Sequence, residues 1–345
     1  MARRAGVSTA VVSYVVNNGP RPVATSTAAR VQAAIEELGY RPNPNARALA
    51  RGTTDLIGLV VPDSSNPFFA ELAQGIERAA AQHGYSMVLV NSNNSGEQER
   101  LKVESLASRR VSGLLVASAR PRHQLDLGNR EGIPTAIINT DGPIPGFHTI
   151  GPDFRQGAQT AVEHLLNVHK ARTVALATGP LNYVKTNSRE QGWSDALTNS
   201  GRPEGRVVEG DFTRQGGHRM GLELIRGELP DALFAISDIQ AIGILRALHE
   251  AGVRVPEDVA IVSFDGTSES EYSWPALTVV RQPIADMATA AVAAVLNPSQ
   301  ATAEHNTFNT DLVIRRSCGC TTTSAGTKGS ETTVVDRVST RSAKA

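Results

Sequence analysis

From residue 55 onward, short apolar runs alternate with longer stretches whose apolar residues recur every three or four positions. The short runs, at 57–61, 86–91, 113–117 and 135–139, fit buried strands, and the stretches near 68–83, 98–109 and 123–131 fit amphipathic helices. The texture then repeats, with strands at 173–177, 207–209, 232–237 and 260–264 and helices near 155–166, 188–199, 215–226 and 240–251. Alternation at this spacing predicts an α/β protein built on two parallel sheets flanked by helices, each gathering ligand-binding loops at the carboxyl ends of its strands. Two such halves face to face enclose a cleft.

The first 54 residues obey a different period. Gly6 marks a turn, and Ser8 stands where an N-cap offers its hydroxyl to the free amides of a new helix. Winding residues 9–17 at about 100° per residue gathers Thr9, Ala10, Ser13, Tyr14 and Asn17 on one face and Val11, Val12, Val15 and Val16 on the other. Valine is a mediocre helix former, so this helix needs its apolar face packed. A glycine turn into a capped helix with a polar outer face is what a helix-turn-helix requires to lay its second helix in a DNA major groove. A third helix is expected over 26–38, with Val31, Ile35 and Leu38 on one side, Thr25 as its cap and Gly39 past its end. Pro42 and Pro44 then make a linker, and 45–52 is a helical segment too short to stand alone.

Charge sharpens this division. The whole chain of 345 residues is neutral, yet residues 1–52 hold seven arginines against only Glu36 and Glu37, a net of +5, which leaves −5 on the rest. A basic head on an acidic body suits a module that meets nucleic-acid phosphates. No uninterrupted apolar span reaches the roughly 18 residues of a membrane helix, and no apolar leader follows Arg3 and Arg4, so a soluble, cytoplasmic protein is expected. The only cysteines are Cys318 and Cys320. In an extended segment they would point to opposite faces, and a metal site would need two further ligands, so they are read as reduced thiols and no metal is expected. There is no Gly-x-Gly-x-x-Gly after the first strand, no Walker loop and no Gly-x-Ser-x-Gly, so an enzyme is not expected.

Ala5, Gly6, Val7, Ser8, Val12, Ser13, Val15 and Asn17 match the opening of the LacI family of bacterial transcription regulators, which the chain resembles; Val11, Tyr14 and Val16 depart from the pattern A-G-V-S-x-x-T-V-S-R-V-L-N. The following core resembles that family's effector-binding part, similar in fold to periplasmic sugar-binding proteins. The matching phrases include Asn66-Pro67-Phe68-Phe69, Val255-Pro256-Glu257-Asp258-Val259, Ser263-Phe264-Asp265 and Pro275-Ala276-Leu277-Thr278. The resemblance implies a lambda-repressor-like helix-turn-helix over 1–39 with its first helix shortened at Met1, then a linker and hinge helix over 40–54. It implies a two-lobed periplasmic-binding-protein-like core over 55–318, one lobe from 55–150 and 282–304 and the other from 151–281 and 305–318, with crossings near Gly151, Arg281 and His305. A disordered tail over 319–345, without the leucine heptads that tie dimers into tetramers, completes the chain.

The same resemblance assigns residues. Ser8, Thr9, Ala10, Ser13, Tyr14 and Asn17 would face double-stranded DNA, with Thr9, Ala10 and Tyr14 reading bases. Leu49 would wedge into a minor-groove step while Arg47 and Arg51 reach phosphates. In the core, Phe69 with Phe68 would stack on the effector, Arg189 would donate to its oxygens, Asp238 and Asp265 would accept from its hydroxyls, and Asp63 and Trp274 would form walls. A planar donor, carboxylates and an aromatic face suit a sugar or sugar derivative, and no cofactor is implied. Asp265 bracing a turn with Gly266, Phe68 as core and Trp274 as plain packing stay open. The expectation is a homodimeric repressor of carbohydrate-metabolism genes on a pseudo-palindromic operator, the alternative being a solute-binding protein of the same two-lobed fold that does not bind DNA.

Overall fold

The computed structural model describes residues 1–16, 21–40, 54–118, 127–128, 130, 132–180, 188–297 and 305–321. Three helices form the head: α1 (Ala2–Ala5), α2 (Thr9–Val16) and α3 (Thr25–Glu37). Gly6 closes α1 in the left-handed region at φ 63°, where a side chain would be strained, and so turns the chain into α2. The head's core is small: Ala5, Val31 and Ala34 are buried, and Val7, Val12, Val15 and Ile35 pack on them. The cap of α3 falls on Ala24 rather than the expected Thr25; Ala24 has no side-chain acceptor, so its carbonyl alone begins the helix.

The core opens with β1 (Leu56–Val61), α4 (Pro67–Gln82), β2 (Ser86–Asn91), α5 (Gly96–Ser108), β3 (Gly113–Val116), β4 (Thr135–Ile138) and β5 (His148–Pro152). The chain then builds α6 (Phe154–Asn167), β6 (Val174–Thr178), α7 (Ser188–Asn199), β7 (Val207–Glu209), α8 (Arg214–Ile225), β8 (Ala232–Ala235), α9 (Asp238–Glu250), β9 (Ala260–Asp265), α10 (Ser268–Tyr272) and β10 (Thr278–Arg281). It closes with α11 (Ile284–Leu296), β11 (His305–Phe308) and β12 (Asp311–Val313). The first sheet runs in the order β11-β5-β4-β3-β1-β2 and the second β12-β10-β9-β8-β6-β7. Every pairing is parallel except β10 with β12. Each sheet reverses its strand order beside its first strand, between β1 and β3 and between β6 and β8, and so opens a crevice at its carboxyl edge.

Parallel sheets covered on both faces bury their strands completely, and β1 after Leu56, β3, β6, β8 and β9 are buried throughout. Ile57, Leu59, Leu72, Ile76 and Ile150 anchor one face of the first sheet together with Met287 and Val292 of α11, which therefore belongs to that half. Phe234, Phe264, Leu165 and Trp193 do the same in the second.

The chain passes between sheets three times: after β5, after β10 and after β11. The last crossing corrects an expectation. Residues 305–318 are expected in the second lobe, but over 305–308 β11 lies parallel to β5, with Phe308 opposite Pro152, and the second sheet receives the chain only at Asp311. The run His-Asn-Thr-Phe has too few apolar residues to reveal an edge strand. The same weakness hides β5, with its Gly and Pro, and the five-residue α10. The helix expected over 123–131 falls largely outside the described residues.

Candidate nucleic-acid interface and ligand cleft

In the head, the hydroxyl of Ser8 accepts from the amide of Val11 at 3.3 Å, the expected cap. Thr9, Ala10 and Ser13 are exposed on α2 and Tyr14 is half-buried, while Val12 and Val15 turn onto the small core. The face meant for contact is thus outward. Arg3, Arg4, Arg21 and Arg30 are exposed in the same head, Arg4 in an ion pair with Glu37 at 2.8 Å. Asn17, Arg47, Leu49, Arg51 and the expected hinge helix lie outside the described residues.

In the core, the first turn of α7 and the carboxyl ends of β8 and β9 bring three expected residues together. Arg189 donates from Nη1 to the carbonyl of Ile236 at 2.9 Å and lies 3.9 Å from Oδ1 of Asp265. Its guanidinium is held over the rings of Phe154 and Phe264, 4.7 and 5.3 Å from their centroids. Burial pulls its pKa down, and the cation–π contacts offset part of that cost. Asp265 ends β9 at φ 117°, a strained value for a residue with a side chain. The neighbouring Gln282 donates from Nε2 to its Oδ1 at 2.8 Å. The other amide atom of that glutamine, Oε1, is buried with no hydrogen-bond partner among the described residues. Burial first, and then the charge of Asp238, push the Asp265 carboxyl up to about 8 despite Arg189 and Gln282.

Asp238 does not meet the expectation of a ligand acceptor. It is 1% exposed, and its two oxygens take Ser263 Oγ at 2.6 Å, Thr267 N at 2.7 Å and Thr267 Oγ1 at 2.8 Å. These bonds fix the turn after Asp265, so Asp238 positions that residue from behind. Burial, the largest influence, raises its carboxyl to about 6, against those same hydrogen bonds.

On the first sheet, Asn66 caps α4 by accepting from Phe68 N at 3.1 Å. Phe68 is core, 2% exposed, with Phe69 half-buried edge-on against it at 5.2 Å. Asp63 closes the turn after β1 by accepting from Ser65 N and Ser65 Oγ, both at 2.9 Å. Trp274 does not form a wall. It is 83% exposed, and it precedes β10, whose far end, Arg281, is the one that pairs with Asp265. The start of β10, Thr278, lies roughly 10 Å along the sheet from the cleft edge, and Trp274 stands four residues before it.

Two clasps join the carboxyl edges across the cleft. Glu71 Oε1 on α4 accepts from both the amide and the hydroxyl of Ser268 at 2.8 Å. On the other flank, Asp141, which follows β4, accepts from Ser188 Oγ at 2.5 Å, one residue from Arg189. Sequence reasoning passed over Glu71, Asp141, Ser188, Ser268 and Gln282. Their only signal is position just beyond strand ends or at helix starts, which a single sequence does not separate from ordinary loop polarity.

A helix-turn-helix carried by the same chain as two doubly wound sheets, clasped around a polar, partly aromatic cleft, defines a class: DNA-binding proteins governed by a small ligand. Residues 1–43 match the family described as bacterial regulatory proteins, lacI family, and residues 54–305 match periplasmic binding proteins and sugar binding domain of LacI family. The chain belongs to the LacI family. It is 34% identical over 290 residues to the ribose operon repressor of Escherichia coli (strain K12), covering 82% of this chain and 87% of that one. Its fold is similar to that of the lac repressor dimer bound to operator and the anti-inducer ONPF, at a TM-score of 0.83 and 28% identity over 92% of this chain and 97% of that one. It is also similar to the transcriptional regulator CelR–cellobiose complex, at a TM-score of 0.68 and 30% identity over 92% and 98% of the two chains.

Proposed function

We propose that this protein is a homodimeric transcriptional repressor of carbohydrate-metabolism genes that grips a pseudo-palindromic operator through α2 and responds to a sugar or sugar derivative in the cleft. The observation that carries the ligand reading is the trio Arg189, Asp265 and Gln282 at the carboxyl edge of the second sheet, opposite Phe69. It presents a fixed donor, a carboxyl that burial pushes toward its neutral form and a buried acceptor with no partner among the described residues. A sugar ring offers hydroxyls to the first three and C–H faces to the aromatic. In this reading Asp63 lines the entrance, and Asp238 acts only by holding Asp265.

On DNA, Thr9, Ala10 and Tyr14 meet base edges while Ser8, Ser13 and Asn17 contact the backbone. Tyr14 cannot make the bidentate guanine contact open to arginine, and Ala10 offers only apolar contact such as to a thymine methyl, so the preferred operator differs from that of relatives with arginine at this position. Leu49 wedges into the central step, with Arg47 and Arg51 on phosphates. The lac repressor and CelR complexes with operator and with cellobiose support both halves of this reading by similarity.

The test uses the full chain. Operator is selected from genomic fragments, and binding to it is followed by fluorescence anisotropy while pentoses, hexoses and disaccharides are titrated; the same sugars are measured by calorimetry. One sugar that binds with heat and shifts operator affinity several-fold supports the proposal. A chain that selects no fragment, or whose operator affinity no sugar moves, overturns it.

A further inference from the structure

We propose that His164, His169, Cys318 and Cys320 form a tetrahedral zinc site that staples the end of the core to α6. The residues arrive from two places far apart in sequence. His164 lies in the last turn of α6 and His169 in the loop just after it, while the two cysteines occupy the turn that follows β12. One donor atom from each lies within 4.8 Å of all the others.

For three of the four donors the separations are close to those of ligands around one ion, and Cys318 Sγ completes the group within 4.8 Å. The Nε2 atoms of His164 and His169 are 3.1 Å apart, and Cys320 Sγ is 3.4 Å from the second and 3.7 Å from the first. Tetrahedral bonds of about 2.05 Å to nitrogen and about 2.3 Å to sulfur require edges of roughly 3.3 Å between nitrogens and roughly 3.6 Å between nitrogen and sulfur. Two imidazoles and two thiols are also a donor set that selects zinc over hard cations such as magnesium.

Cysteines one residue apart point to opposite faces only while the chain is extended. Here it is not: Gly319, at φ 100°, bends the segment through the left-handed region and lets both sulfurs face the histidines. A Cβ on that glycine would stand 3.3 Å from His169 Nδ1. Behind the site, Thr278 Oγ1 donates to Cys318 Sγ at 3.1 Å, the kind of outer hydrogen bond that steadies a ligating sulfur. Next to it, Ser317 Oγ donates to the carbonyl of Ile261 at 2.6 Å and accepts from Thr278 N at 2.8 Å, so the turn is already fixed to the sheet.

Ile261 is at the start of β9, whereas the cleft is at its end. The site therefore sits at the opposite end of the second sheet's strands from Arg189 and Asp265, and its role is structural. The aquated ion would release its waters to solvent and two thiols their protons, with no change in oxidation state, as two Zn–S and two Zn–N bonds replace the Zn–O bonds.

The full chain, purified without chelator, is analysed for zinc by plasma mass spectrometry, then stripped and titrated with cobalt(II). One zinc per chain is expected, together with visible cobalt bands of tetrahedral intensity and a sulfur-to-cobalt charge-transfer band. Zinc should raise the thermal midpoint of the stripped protein. His169→Asn and Cys320→Ser, both at half-buried positions, should each lower the bound zinc at least tenfold, with far-ultraviolet circular dichroism unchanged. A wild-type chain that takes up no zinc or shows only octahedral cobalt bands overturns the proposal whatever the variants do, as does undiminished zinc in both variants. Neither result bears on sugar or operator binding.

Discussion

Replacing Asp265 by Asn tests the electrostatics of the cleft in a single step. Asparagine has nearly the same shape, can still accept from Gln282, and tolerates a positive φ better than most residues, so the strained end of β9 should persist. What it removes is a titration. The buried carboxyl has its folded pKa raised from an ordinary 3.8 to about 8. A raised carboxylate binds its proton more tightly in the folded state, so stability is highest at low pH and falls as pH climbs from about 4 through about 8. One proton of difference corresponds to about 1.4 kcal/mol per pH unit. Between pH 6 and 8, with levelling near the folded pKa, the ligand-free wild type should lose about 2 kcal/mol that the variant does not. The assay is urea denaturation of the ligand-free protein at half-unit steps from pH 5 to 8.5, followed by tryptophan fluorescence; Trp193 is buried in the second lobe. The variant should be the more stable protein at pH 8 and show a flatter profile above pH 6. An unchanged slope, or a variant weaker than wild type at pH 8, would refute the reasoning.

Arg189→Ala should abolish the response of operator binding to sugar while leaving circular dichroism intact; a normal response in anisotropy would remove this residue from the site. Glu71→Ala deletes one clasp and its two hydrogen bonds to Ser268, each worth about 1 kcal/mol. It should weaken sugar binding by roughly tenfold in calorimetry without lowering the unfolding midpoint of either lobe. Leu49→Ala should weaken operator affinity by about 2 kcal/mol while the calorimetric sugar affinity stays at the wild-type value. Equal operator affinity would exclude the wedge. Val31→Ala opens a cavity under α2 in a core of three buried residues, at a loss of about 2 kcal/mol. Operator binding should fall and sugar binding should not, as read in the same two assays.

Legibility followed burial. The strands buried on both faces, such as those of 57–61 and 260–264, stood out because nothing but continuous apolar side chains survives there. The edge strand β11 did not, since one side of it is unpaired and its sequence is free to be polar; β5, paired on both sides, was hidden by its Gly151 and Pro152. The outward face of α2 was readable because its valines lie on one side, from which Val12 and Val15 pack on the head's core. In the cleft, Arg189 and Asp265 were reachable through family phrases, but the role of Asp238 was not. A carboxylate facing a sugar and one facing Ser263 and Thr267 are the same letter, and only the fold decides which partners it meets. Both cysteines are reduced thiols, as read, but the bend at Gly319 that turns them toward His164 and His169 is not legible in Cys-x-Cys spacing, which suits an extended chain equally well.

The position of the clasps suggests how a cleft event reaches the head in the proposed cycle. The first sheet is tied to the second by three crossings, at 153, 282–283 and 309–310, which leave rotation of one lobe on the other as the easy motion. Glu71 and Asp141 resist that rotation on opposite flanks, and each bond ends one or a few residues from a group that would meet ligand: Glu71 near Phe69, Ser188 beside Arg189. A ligand that draws on those groups in one lobe position more than in another shifts the rotation, and only that difference in affinity can do so. The amino end of β1 begins at Leu56, with the link to the head just before it. Rotation of the first sheet carries that attachment point with it, so in a dimer the two heads change separation even if neither α2 alters its shape. The prediction is then specific: with Glu71 and Asp141 both replaced by alanine, sugar still binds, but operator affinity becomes less sensitive to it, because the free chain no longer prefers one lobe arrangement. Retention of the full wild-type ratio of operator affinities, with and without sugar, in that double variant would show that the clasps do not set the equilibrium.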